Sequence, residues 1–223
     1  VLHLDRNGYY GGETASLNLT NLWKTFRPDS TPTAKYGHNR DWNVDLIPKF
    51  IMADGKLVKM LLHTKVTKYL EWKCVDASYV VQHRKGGFFS SEKMAVVKVP
   101  ANEKEAIGSS LMGLFEKRRV AQLYKFVAGV DLNDTSTWGK NDLKKMTMGE
   151  LFKKFGIEES SFDFLGHAVA LHHNDNFMFE PAIDTVLKMQ LYQESQGRYG
   201  DSPFLYPIYG IGGLPEAFSR LCA

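Results

Sequence analysis

The feature that most constrains the fold is a pattern that changes twice along 223 residues. Residues 1–102 mix short strand-like runs with brief helical stretches. Residues 103–199 carry helical periodicity only, and strand-like signals return after Gly200. An α/β region that stops and then resumes predicts an α/β domain, 1–102 plus 200–223, interrupted by an all-helical insertion at 103–199. The length is enough for two modest cores. No internal repeat or low-complexity tract is present.

Residues 18–26 place Leu19, Leu22 and Phe26 at helical spacing, and residues 56–64 do so with Leu57, Met60 and Leu61. Residues 70–75, 79–83 and 94–99 read as strands, with Lys85-Gly86-Gly87 as the turn between the last two. Residues 27–39, holding Pro28 and Pro32, form a loop. Residues 40–50, RDWNVDLIPKF, are too dense in aromatic, charged and apolar side chains for a linker. In the helical stretch, residues 103–128 make one long helix or two short ones, with Ile107, Leu111 and Phe115 four apart. Thr147 and Glu150 fit a capping box ahead of the stripe Met148, Leu151, Phe152 and Phe155. Residues 161–172 carry two stripes, one of Phe162, Leu165 and Val169, the other of Phe164, Ala168 and Leu171. A helix apolar on two faces is buried on both or lines an apolar cavity. Pro181 suits the first turn of a last helix reaching about Arg198, with Ile183, Leu187 and Leu191 inside. Residues 204–209 read as a strand despite Pro207, 210–213 as a turn, and 214–221 as a helix.

Composition excludes several classes. A net charge of +3 is too slight to mark a nucleic-acid or membrane-surface binder, and the Lys117-Arg118-Arg119, Lys144-Lys145 and Lys153-Lys154 clusters have acids nearby. Two cysteines, Cys74 and Cys222, far apart and outside any CxxC, exclude a disulfide framework and a thiolate metal site, and favour a reducing compartment. The longest run without charge, 202–215, is too short for a membrane span and is broken by Pro and Gly. No basic-then-apolar leader opens the sequence, so a soluble cytosolic protein is expected. Residues 1–5, VLHLD, alternate and end on an acid before a glycine-rich turn, as the second strand of a dinucleotide-binding βαβ unit does. The first strand and its G-x-G-x-x-G turn would lie upstream, so the sequence is expected to be a fragment.

Little points to catalysis. His167, His172 and His173 lack metal-ligand spacing and no HExxH occurs, so no metal is expected. There is no G-x-S-x-G elbow and no Walker-A run. Gly210-Ile211-Gly212-Gly213 lacks the third glycine of a phosphate-binding fingerprint and reads as a strand-to-helix turn. The apolar side chains of 103–199 are either a plain bundle core or the lining of a cavity for a lipid chain.

Four runs carry a resemblance. DRNGYYGGE (5–13), RDWNVDLIPKF (40–50), LFEKRR (114–119) and RYGDSPFLYPIYGIGGLPEAFSR (198–220) occur in the order seen in the Rab GDP-dissociation inhibitors. The sequence resembles that family from end to end. The sister Rab escort proteins share several runs, but the 26 residues between Glu13 and Arg40 are similar to the inhibitors.

The resemblance implies a fold related to flavoprotein monooxygenases and a non-enzymatic chaperone without a cofactor. Such a protein binds prenylated, GDP-bound Rab GTPases, slows GDP release and extracts them from membranes into the cytosol, as a monomer that touches membranes transiently. The α/β domain would present the Rab platform, with Tyr10, Arg40 and Arg220 matching by motif. The helical domain would house geranylgeranyl chains among Leu111, Met112, Phe115, Phe162, Leu165 and Val169. Two departures stand out. Gly8 replaces the family's usual Pro, and Gly213 replaces its usual acid, with Glu216 one helical turn on as the substitute carboxylate. The competing readings are an FAD-dependent oxidoreductase, whose double glycine is commonly followed by Arg where Glu13 stands here, and a Rab escort protein.

Overall fold

A computed structural model describes residues 2–84, 93–101 and 103–223. The chain forms two compact units, Val1–Cys74 with Phe204–Ala223, and Val75–Pro203. In chain order the regular elements are α1 (Leu19–Phe26), β1 (Ile51–Met52), α2 (Lys56–Thr64), β2 (Trp72–Cys74), β3 (Tyr79–Arg84) and β4 (Lys93–Lys98). There follow α3 (Glu103–Gly108), α4 (Leu114–Gly129), α5 (Met148–Phe155), α6 (Ala182–Ser195), β5 (Phe204–Pro207) and α7 (Gly213–Cys222). Helix and sheet are thus mixed, and every strand pairing among the described residues is antiparallel. No helix among them is long and apolar enough to cross a membrane.

In the first unit β5 lies between β1 and β2. Leu205 faces Ile51 on one side and Cys74 on the other, which is why the chain must return after residue 203 to complete the sheet. Ile51, Ala53, Val58 and Leu205 form one buried cluster, and Leu61, Val66 and Ala217 another. The inward face of α2 is Val58 and Leu61. Leu57 and Met60, expected inside, are exposed, because three- and four-residue spacing fixes a stripe but not its centre. Asn18 caps α1 by accepting the Asn21 N–H at 2.9 Å.

The strand expected at residues 1–5 is not formed over its described part. Residues 2–5 join no strand among the described residues, and Leu2 and Leu4 are 83% and 76% exposed. Alternation alone does not make a strand, since an extended segment needs a neighbour for its N–H and C=O groups.

In the second unit β3 and β4 pair from Tyr79↔Lys98 to Arg84↔Lys93 and, among the described residues, with no other strand. That explains why the hairpin, expected with the α/β region, is grouped with the helices, so that the break falls after Cys74 and not near Asn102. Its expected turn, Lys85-Gly86-Gly87, lies outside the described residues. The two-helix alternative for 103–128 holds, with Gly113 as the N-cap that restarts the helix at α4. The capping box of α5 is present: Thr147 Oγ1 accepts from Glu150 N–H at 3.2 Å and Glu150 Oε2 from Thr147 N–H at 2.8 Å. α6 buries Ala182, Thr185, Val186, Met189 and Tyr192, leaving Ile183, Leu187 and Leu191 half-buried on its flanks.

Within LFEKRR, Glu116 is 1% exposed. It accepts from Arg119 Nε at 2.8 Å and from the Glu158 N–H at 2.9 Å, while Arg119 also bridges to the Glu158 carboxylate. A buried carboxylate needs such partners to avoid a large desolvation cost. This part of the signature therefore joins α4 to the segment after α5.

Candidate partner-binding surface and apolar site

The surface expected to meet a partner is built around one carboxylate of the RDWNVDLIPKF run. Asp45 accepts from Ser16 Oγ at 2.5 Å, from the Ile211 N–H at 2.8 Å and from the Tyr206 hydroxyl. Ser16 Oγ in turn accepts from the Gly212 N–H at 3.1 Å. Burial, and then the bond to Asp45, push the Tyr206 phenol above its ordinary range, so it stays a donor. These bonds tie the segment after the first glycine turn to β5 and to the turn before α7. Gly11, at φ +103, lies so close to α7 that a Cβ there would meet Pro215 Cγ at 2.8 Å. The Tyr10 loop is thereby seated on the first turn of the helix that carries Glu216 and Arg220.

Glu216 and Arg220 line one cleft of about 560 Å³, with Tyr69, Tyr209 and Gly213 also on its wall. The Arg220 guanidinium lies 5.7 Å from the centre of the Tyr69 ring, a cation–π placement that aims the charge. Tyr69 was missed by sequence reading. It sits in a 3₁₀ turn, Val66–Tyr69, with no periodic signal. Tyr10 is half-buried beside His3, ring centres 4.8 Å apart, and does not line the cleft. Arg40 is exposed on the 3₁₀ turn Asn39–Asp41, 4.0 Å from Asp41, also outside the cleft.

In the helical unit the six expected lipid contacts separate. Phe162 stacks on Phe152, ring centres 5.1 Å apart, and lines an open hollow of about 530 Å³ with Met178 and Phe179. Leu165 and Val169 are buried, as is Leu111. Met112 is half-buried, and Phe115, at 78% exposed, faces out near the start of α4. The expected helix at 161–172 is a 3₁₀ turn, Glu159–Ser161, running into a π-helical turn, Phe164–Val169. Both of its stripes contribute to packing, with Phe164 buried beside Leu165 and Val169. A wider turn spreads apolar side chains over more of the circumference than a 3.6-residue helix does.

His167 in this turn and His172 just after it have opposite tendencies. A bond to the His172 carbonyl, and then Asp175, raise the pKa of His167; burial, and then Lys188, lower that of His172. Asp163, His167 and Asp175 bring one ligand atom each within 4.8 Å of one another. Histidine spacing does not reveal this group, because two carboxylates from separate turns flank a single imidazole.

The profile of the GDP dissociation inhibitor family matches residues 1–223. Guanosine nucleotide diphosphate dissociation inhibitor 1 of Arabidopsis thaliana is 52% identical over 224 residues, covering 100% of this chain and 48% of that protein. Rab GDP dissociation inhibitor beta of Canis lupus familiaris is 50% identical over the same extent. The crystal structure of Rab GDI from Plasmodium falciparum has a TM-score of 0.85 at 54% identity, over 98% of this chain and 49% of that one. The chain spans about half the length of the relatives it matches. With two of its signature runs bonded at Asp45 and a profile match from first residue to last, the chain belongs to the GDP dissociation inhibitor family.

Proposed function

We propose that the protein this chain represents holds GDP-bound, prenylated Rab GTPases, slows their release of GDP and carries them from membranes into the cytosol. The activity is one of binding, without a cofactor or a chemical step. The observation that carries the reading is the junction at Asp45, which bonds the second signature run to the last one and to Ser16, three residues after the first run, whose Gly11 packs against Pro215. The first unit is the Rab platform: Arg220 and Glu216 work from the cleft, and Tyr10 and Arg40 extend the contact on exposed loops. Glu216 supplies the carboxylate that Gly213 lacks. Both positions line the cleft, one helical turn apart. Kinship of this unit with flavoprotein monooxygenases is inferred from the sequence resemblance.

The helical unit takes the lipid. Phe162 is the residue a chain entering the hollow meets, and Leu111, Leu165 and Val169 become contacts only where packing opens. Met112 and Phe115 serve the approach. Each buried methylene-sized unit of the lipid contributes about 0.8 kcal/mol, comparable to what it gains in the bilayer. Extraction therefore needs only a modest surplus, which the platform supplies. Selectivity for the GDP state follows if the platform touches Rab segments that rearrange with the γ-phosphate. The test is capture of prenylated Rab by the full-length protein, working as a monomer, with GDP-loaded and GTP-loaded Rab compared. Strong preference for the GDP form is expected, and equal capture of both forms would overturn the reading.

A further inference from the structure

The π-helical turn and the 3₁₀ turn Asp175–Met178 meet at a glycine. A Cβ on Gly166 would lie 2.6 Å from Phe177 Cε1 and closer still to Cζ, so only a residue without one lets the two turns touch. The contact sets His167 opposite Asp175. His167 Nδ1 is 2.7 Å from the His172 carbonyl oxygen, which only accepts, so Nδ1 carries a proton. Nε2 is then the atom 3.1 Å from Asp175 Oδ1. An ionised carboxylate has no proton to give, so two lone-pair bearers face each other and a positive centre must lie between them. A proton on the imidazole would serve, and so would a metal ion.

Without a metal the imidazolium–carboxylate pair holds this contact; the surroundings also suit a metal ion that displaces its proton. Asp163 stands four residues before His167; the three ligand atoms lie within 4.8 Å of one another, wider than two bonds of about 2.0–2.1 Å span, so the exposed Asp163 side chain must swing inward to bind. Asp163 and Asp175 are exposed and open onto the 530 Å³ hollow, whose wall also holds Glu150 and Glu159 against the single cation Lys153. A gap of 3.1 Å between N and O suits bonds of about 2.0–2.1 Å meeting near 100°. Donation from Nδ1–H to a backbone carbonyl is the arrangement that fixes tautomer and orientation in metal-bound histidines. We infer that Asp163, His167 and Asp175 form a three-ligand site for a divalent transition metal of the zinc class, with water completing the coordination. One imidazole with two carboxylates and no thiolate suits Zn²⁺, Co²⁺ or Ni²⁺ better than Cu⁺, and better than Mg²⁺ or Ca²⁺, which take oxygen alone. The bound ion ties the π-helical turn to the 3₁₀ turn across one edge of the hollow.

The experiment is calorimetric titration of the full chain, stripped with chelator, with ZnCl₂ at pH 7.5, beside Asp163→Asn, Asp175→Asn and His167→Gln. Wild type is expected to take one equivalent. Each variant should bind at least tenfold more weakly, and the two Asn variants should stay folded at pH 7.5 in the absence of metal. The two Asn variants change exposed side chains, so they test the site even if His167→Gln fails to fold. Co²⁺ should give visible absorption that Zn²⁺ abolishes and millimolar Ca²⁺ does not. Affinity should fall with acidification, since protons compete for Nε2. Three outcomes overturn the inference: no binding, binding undiminished in the Asn variants (adventitious zinc at other histidines), or an NMR spectrum in which His167 remains doubly protonated in excess Zn²⁺.

Discussion

Gly166→Ala isolates the contact on which the helical unit's irregular turn depends. The new methyl carbon would lie 2.6 Å from Phe177 Cε1 and 3.1 Å from Cε2, with Cζ nearer than either. Ordinary carbon contacts begin at about 3.5 Å, so the turn or the ring must retreat by about 1 Å or more. The ring has little room. Phe177 is 1% exposed, stacked on His172 at 4.6 Å and edge-on to His167 at 6.0 Å. Overpacking of this kind costs about 1–3 kcal/mol, while alanine recovers about 0.5–1 kcal/mol of chain entropy that glycine loses on folding. The net expectation is a loss of about 1–2 kcal/mol, or a melting point lower by about 2–8 °C at this chain length. Urea melts of wild type, Gly166→Ala, Phe177→Leu and the double variant give the coupling directly. The smaller leucine should accept the methyl group, so the double variant should be less destabilised than the sum of the two. Strict additivity, or a Gly166→Ala protein as stable as wild type, would refute the reasoning.

Asp45→Ala removes an acceptor from three donors and should destabilise the first unit by about 2–4 kcal/mol, read by denaturant melts. Glu216→Ala should weaken binding of GDP-bound Rab by about tenfold, or ~1.4 kcal/mol, in a titration. Gly213→Glu should strengthen it, because a Cβ there meets only Leu70 Cδ2 at 3.6 Å. Phe162→Ser should impair membrane extraction of prenylated Rab more than binding of unprenylated Rab, and equal loss in both assays would point to unfolding. NMR titration should place His167 above the ordinary imidazole midpoint and His172 below it. The raised His167 adds stability at acid pH that fades as pH rises through its folded value. The depressed His172 adds stability at neutral pH that fades as pH falls through its own.

Where the sequence held a local physical cause, it was legible. The α5 capping box needs only Thr147 and Glu150 three apart, and α1 and α2 follow from their apolar spacing. The alternation at 1–5 misled because pairing is not local, and the position of the unit boundary depended on which strands β3 and β4 join. The π-helical turn was beyond reach, since the Gly166–Phe177 contact that packs it joins positions eleven apart. The candidate site divides in the same way. Glu216 and Arg220, one turn apart on a helix, were readable as neighbours, whereas Tyr69 reaches them only through tertiary folding. The family resemblance places Phe115 and Leu165 in one lipid site, yet one is exposed and the other sealed.

The central position of β5 has a consequence for synthesis on the ribosome. Both flanking strands emerge early, but the piece that joins them is made only after residues 75–203, a stretch of 129 positions (203 − 75 + 1). At about 5–20 residues per second, the nascent amino-terminal portion waits roughly 6–26 s with two unzipped edges. The intervening helices, rich in short-range contacts, have time to close first, and a chain stalled before Phe204 would leave those edges open to chaperones or to one another.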